Sequence, residues 1–212
     1  MNETSTKIQR RPSWRRVVLR LIMICGGCIA IMLPAWLPNR AGAPIERGTV
    51  ELLQAFLLAG AAVVAFGAAS HAGAYRPVCR VLGLGFFAAF TGEIEDFVSG
   101  ILKWPFPEAG LVALILLVAL VTIFRHRRVM AHFVATLGHH AGSGLIAGAL
   151  LIIYVFNRVI GAEAFWRVSL GDAFSPEIPK ICRSYLELLA TYLMFIGAMG
   201  LSITLARRRD AV

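Results

Sequence analysis

Charge is scarce in this chain. Only 16% of its 212 residues are Asp, Glu, Lys or Arg, while 58% are apolar, and the mean hydropathy is +0.73. A water-soluble domain carries about 25% charged and 45–50% apolar residues, so an ordinary soluble globule is excluded. The apolar–polar alternation of barrel strands is missing too, as are low-complexity segments and a convincing internal repeat. The four cysteines follow no disulfide pattern. Cys25-Gly-Gly-Cys28 has the spacing of a redox pair, but that chemistry needs an accessible, partly ionised thiol. Both thiols fall inside an apolar run, where small residues serve helix packing. No Walker A loop and no dinucleotide fingerprint occurs. No motif belongs to one family alone.

What the chain does have is apolar runs, most of them about 17–25 residues long, enough to cross ~30 Å of hydrocarbon as a helix. Backbone polar groups in lipid must be satisfied within the segment, so these runs read as helices. The expected fold is all-α, a bundle of six transmembrane helices over Val17–Pro38, Val50–Ala69, Val78–Leu102, Leu111–Phe124, Ala141–Ile160 and Ile181–Ala206. The membrane domain then covers residues 17–206, between a basic cytoplasmic tail of residues 1–16 and another of residues 207–212. A cleavable signal peptide competes for the first run, with Ala41-Gly42-Ala43 as the cleavage site. The run is longer than a signal core and Pro44 follows the site, which favours an uncleaved helix.

Positive charge orients the bundle. With both ends inside, 14 of the 21 Lys and Arg residues are cytoplasmic, whereas 10 of the 12 acidic residues fall on the outer side. That is the positive-inside distribution, and it accounts for the net charge of +9 without nucleic acid as a partner. Trp36 and Trp104 fit an outer aromatic belt and Trp14 an inner one. The expected location is a bacterial inner (plasma) membrane, with multiple passes and both termini inside.

The segment Thr91-Gly-Glu93-Ile-Glu95-Asp96 carries the strongest functional signal. On a continuous helix from Arg80 to Trp104, Glu93 lies about 20 Å from one end and about 16 Å from the other. Ionisable groups at such depth are costly and face a partner, a cavity or the bundle interior. Glu93 and Asp96, three apart, share a face, and Glu95 points elsewhere. Other runs bring Glu51 and Gln54, Glu187 with Arg183 and Tyr185, and Asn157 with Arg158 to the same outer half. Glu93, Asp96 and Glu187 are therefore expected to meet in one polar site, with Arg158 or Arg183 as counter-charge. Helix-to-helix salt bridges, or a third helix ending at Thr91, are the structural alternatives.

His71, His126, His132, His139 and His140 all fall on the cytoplasmic side. Arg125, Arg128, His132 and His139 lie near one helical face, which predicts an amphipathic interfacial helix over Arg125–Leu137 against anionic headgroups. Haem or metal ligation by His139 or His140 is disfavoured, since no spaced carboxylate accompanies them. The separation of histidines from buried acids also disfavours a hydrolytic zinc site and a serine–histidine–acid set. Gly144 and Gly148 form a GxxxG, expected to bring helices close.

The sequence thus predicts a protein that binds or transports a proton, a cation or a cationic small molecule. An enzyme acting on a lipid or amphiphile at the outer leaflet is the first alternative. A scaffold or accessory subunit is the second. The lipid bilayer is the expected partner, with a second copy or a partner membrane subunit left open. Neither a substrate nor a cofactor is named by the residues.

Overall fold

The computed structural model describes residues 22, 25–27, 47–102, 108–139 and 142–207. Among these every regular element is helical and no strand occurs. The first apolar run lies outside the described residues, except for the helical positions Ile22 and Cys25, Gly26 and Gly27. The main elements are α1 (Arg47–Ala69), α2 (Arg76–Leu102), α3 (Glu108–Arg125), α4 (Arg127–Ala135), α5 (Ser143–Ile160), α6 (Glu163–Leu170) and α7 (Glu177–Arg207). Four segments are long and apolar enough to cross a membrane: Val50–Ala69, Gly73–Glu95, Ser143–Ile160 and Glu177–Leu205. A fifth is added if α3 and α4 count as one bent span.

The bend has a plain cause. The apolar sequence of α3 runs into Arg125-His126-Arg127-Arg128, and charges of this density do not continue into hydrocarbon. The axis turns by 87° between Ala109–Arg125 and Arg127–Ala135, so α4 runs crosswise as the amphipathic pattern predicts. Arg127, Arg128 and His132 are exposed, while Phe133 is buried with Leu201 and Leu205. His132 stacks on Tyr75 at 6.3 Å between ring centroids.

α1 packs along both α2 and α7. α3 lies on the far side of α2, and α5 on α7. The order across the bundle is therefore α3, α2, α1, α7, α5. Its centre is made of small side chains: Ala61, Ala62 and Ala65 of α1, Ala149 of α5, and Ala190 and Ala198 of α7, with Phe86 and Met194 between them. Small residues let helix backbones approach closely where lipid supplies no hydrophobic drive. The flanking helices present large apolar side chains outward, including Leu117, Val121 and Phe124 of α3 and Leu151, Val155 and Val159 of α5. Contiguous exposure of this extent marks a lipid or partner surface.

The close approach between α5 and α7 does not use the predicted GxxxG. A Cβ added at Gly144 or Gly148 meets nothing within 4 Å among the described residues. The contact instead runs through Gly142, at φ +98, and Gly197, where a Cβ would lie 2.7 Å from Ile146 Cγ1 and 2.9 Å from the Gly142 carbonyl oxygen. A spacing motif identifies small residues on one face. It does not say which helix that face meets.

α6 lies in the connection between the predicted helices Ala141–Ile160 and Ile181–Ala206. Glu163 opens it and pairs with Arg167 one turn on at 3.2 Å, and the Arg167 guanidinium sits 5.2 Å above the Phe174 ring. Trp166 Nε1 donates to the Ile160 carbonyl, tying α6 to the end of α5.

Candidate functional site

α2 and α5 run antiparallel to α1 and α7, which brings the early turns of α1 and α7 to the late turns of α2 and α5. All the predicted site residues belong to this end. α2 continues unbroken through Thr91 to Leu102, so Glu93 and Glu95 are helical and not part of a loop. Gln54 lies about 10 Å into α1 and Glu187 about 15 Å into α7 at 1.5 Å per residue.

Gln54 bridges three helices. It is 3% exposed, and with its amide oriented by its neighbours, Nε2 donates to Glu93 Oε2 at 3.2 Å. Its Oε1 accepts from the Leu188 backbone N–H at 3.0 Å. Val50 and Leu188, buried among Leu57, Tyr185 and Tyr192, form the apolar surround. Glu93 is half-buried and stands within electrostatic reach of Glu187 and Glu51. No Lys or Arg pairs with Glu93 among the described residues.

Glu187 has two donors on one oxygen. Its Oε1 accepts from Asn157 Nδ2 at 2.7 Å and from Arg183 Nε at 2.9 Å. Thr191, buried one turn later, donates to the Glu187 backbone carbonyl at 2.8 Å. Asn157 is 7% exposed, and its Oδ1 is buried with no hydrogen-bond partner among the described residues. Such a group is unusual, because buried side-chain oxygens are nearly always satisfied. Its placement follows from the five-residue π-helical segment Ile152–Phe156 just before it. A π segment inserts a residue into the helical register, and such segments often mark functional sites.

The sequence-predicted set is thus partly assembled. Glu93, Glu187, Gln54, Glu51 and Arg183 come together. Arg158 does not join them: it is exposed and has no ion-pair partner among the described residues, because successive residues on a helix point about 100° apart and Asn157 takes the inward direction. Tyr185 packs in the apolar surround with Val50 and Leu188. The Asp96 side chain lies outside the described residues, so its expected meeting with Glu93 and Glu187 does too. Thr91 is 2% exposed and satisfies itself by donating to the Ala88 carbonyl at 2.7 Å. Among the described residues, no three His, Cys, Asp or Glu stand close enough to hold a metal ion.

The sequence points to Asn157 only as a polar residue near a helix end, and it ranks the charged Arg158 above it. The hint was the pair itself, two adjacent polar residues in an apolar run of which one must face inward. Asn157→Ala should lower stability by about 1.5–3 kcal/mol, the range for a hydrogen bond to a charged group. Arg158→Gln should stay within about 0.5 kcal/mol, as an exposed change does. Thermal unfolding of the two variants in detergent compares them directly, and equal losses would contradict the inward placement of Asn157.

The cluster can hold a positively charged donor. Among the described residues it offers a Glu93 carboxylate without a cationic partner, the remaining oxygen of Glu187, and an amide oxygen lacking a donor, in a largely apolar surround. Comparison with family models, with curated proteins and with solved structures found no match for this chain.

Proposed function

We propose that this is a multi-pass protein of a bacterial inner membrane, with both ends cytoplasmic, that binds and transports a proton, a small cation or a cationic small molecule. Its site is the Gln54–Glu93–Asn157–Glu187 cluster in the periplasmic half of the bundle. The observation that carries this reading is the buried Asn157 Oδ1, without a donor among the described residues, beside Glu187, which pairs with Arg183. Glu93 stands in electrostatic reach of Glu187 and is without a cationic partner among the described residues. Such a group of acceptors is satisfied by a ligand bearing N–H or O–H donors and positive charge. Arg183 is 63% exposed and Glu187 33%, so the described helices cover this pair only in part and leave it open to a ligand from outside the bundle. That fits a mouth through which a cation is exchanged. Purified protein in proteoliposomes should accelerate dissipation of an imposed proton or monovalent-cation gradient above protein-free vesicles. No acceleration for protons, alkali cations or alkylammonium ions would overturn the reading.

Orientation is tested separately. In a background without the four native cysteines, a cysteine at Asp172 should react with a membrane-impermeant maleimide on intact cells. Cysteines at Arg127 and Arg209 should react only after permeabilisation. Labelling of Arg209→Cys from outside would invert the orientation and put the cluster in the cytoplasmic half.

A further inference from the structure

At the opposite end of the bundle a cleft of about 390 Å³ opens between α1 and α2, lined by Phe66, Ala69, Ser70, Arg76 and Arg80. Arg76 and Arg80 lie one turn apart and so share a face of α2. Arg76 Nε donates to the Ala69 carbonyl at 3.2 Å, which fixes the guanidinium across the end of α1 and leaves its terminal nitrogens without a partner among the described residues. Arg80 makes no hydrogen bond or ion pair among the described residues. Every described Asp and Glu belongs to the far end of the bundle or its connections, so no carboxylate among the described residues neutralises this pair. Two like charges at this spacing repel. The cleft is built to take an anion.

Its depth and floor select the kind of anion. Ala69 ends one apolar span and Gly73 begins the next, which puts the two guanidinium groups at the edge of the hydrocarbon. Below them the Phe66 ring lies across Gly83, where an added Cβ would come within 2.8 Å of it. Gly83 is three residues past Arg80, so the ring lies on the hydrocarbon side of the cations. Phe66 itself is 40% exposed. A charged rim above an aromatic floor matches a molecule with an anionic phosphate at one end and an acyl chain at the other. The positive end of the α2 dipole lies at the same level and favours the same charge.

We infer that this cleft is a binding site for the phosphate headgroup of an anionic phospholipid of the leaflet at the basic end, with Arg76 and Arg80 holding the phosphate and Phe66 the first part of an acyl chain. Basic pockets between membrane helices bind such headgroups in general. Arginine suits the task because its planar fork can engage two phosphate oxygens at once. The site is separate from the acidic cluster, and its occupancy does not depend on the function proposed for that cluster.

The test is the thermal stability of the delipidated protein in a neutral detergent, with graded additions of phosphatidylglycerol, phosphatidylcholine or inorganic phosphate. Phosphatidylglycerol should raise Tm at lower concentrations than phosphatidylcholine, and inorganic phosphate alone should not raise it. Arg80→Gln should weaken the phosphatidylglycerol effect about fivefold, corresponding to about 1 kcal/mol per basic residue near an anionic surface, while leaving Tm without lipid unchanged. Arg80→Lys should restore part of the preference, and the triple replacement of Arg125, Arg127 and Arg128 by Gln should leave it in place. Equal stabilisation by the two lipids would overturn the inference. So would an unaltered preference in Arg80→Gln, or its loss in the triple variant alone. Stabilisation by inorganic phosphate at the same concentrations would make the site one for a free anion and would equally overturn the lipid assignment.

Discussion

The Glu93→Gln protein should fold and insert as the parent does, and should carry cation flux at least tenfold more slowly. Folding is preserved because the substitution changes few contacts. Gln54 Nε2 donates to Glu93 Oε2, and a glutamine carbonyl in the same place accepts that bond equally well. What disappears is the negative charge, the member of the cluster with no cationic partner among the described residues. A hydrogen bond to a charged group contributes about 1.5–3 kcal/mol, and about 1.4 kcal/mol is a factor of ten in an equilibrium. The loss should therefore reach at least tenfold, read as initial flux in proteoliposomes at matched protein density. Gln54→Leu serves as the contrasting variant: it removes the Leu188 and Glu93 bonds together and should destabilise the bundle as well as slow transport. Full flux in Glu93→Gln would remove Glu93 from the mechanism and turn the cluster into a purely structural bridge between α1, α2 and α7.

Gly142→Ala should be the most damaging single methyl group that can be added at the basic end. Gly142 stands at φ +98, a conformation that costs an L-residue about 1–2 kcal/mol. Its Cβ would also run into the Gly197 carbonyl and come within 2.8 Å of the Leu201 nitrogen. Both obstacles are backbone, so no side-chain rotation relieves the clash, and overpacking of this kind costs about 1–3 kcal/mol more. The combined loss is about 2–5 kcal/mol, a large part of the stability of a marginally stable fold. Gly144→Ala and Gly148→Ala meet nothing within 4 Å. They should be neutral or slightly stabilising, since alanine favours a helix by about 0.8–1 kcal/mol over glycine. Unfolding by graded SDS compares the three proteins. If Gly142→Ala unfolds with Gly144→Ala, the junction of α5 and α7 is looser than the Gly142–Gly197 approach implies.

Much of the architecture was written in local pattern. The apolar run Val50–Ala69 became all but the first three residues of α1, and the run from Val78 to Leu102 all but the first two residues of α2. The arginine cluster at Arg125–Arg128 ended one helix and coincides with the 87° turn into the next. These features depend on hydropathy, charge and helical period, which any stretch of chain carries by itself. The site was legible to the same degree: Glu93, Glu187 and Gln54 stood out because polar groups within apolar runs must find company.

The sequence by itself determined which segments are helical, which of their residues are too polar for lipid, and at which end of the bundle those residues collect. It could not determine partners, because a partner is a relation between two helices. Asn157 rather than Arg158 faces Glu187 because a π segment shifts the register of α5, a shift that no propensity marks. Gly142 and Gly197 meet, while Gly144 and Gly148 do not, because the crossing of α5 and α7 chooses the point of contact. The cleft below Arg76 and Arg80 exists because the Phe66 ring of one helix fills the gap left by Gly83 of another. Composition and period act within a segment; rotation and crossing of helices are decided only when all the faces pack together.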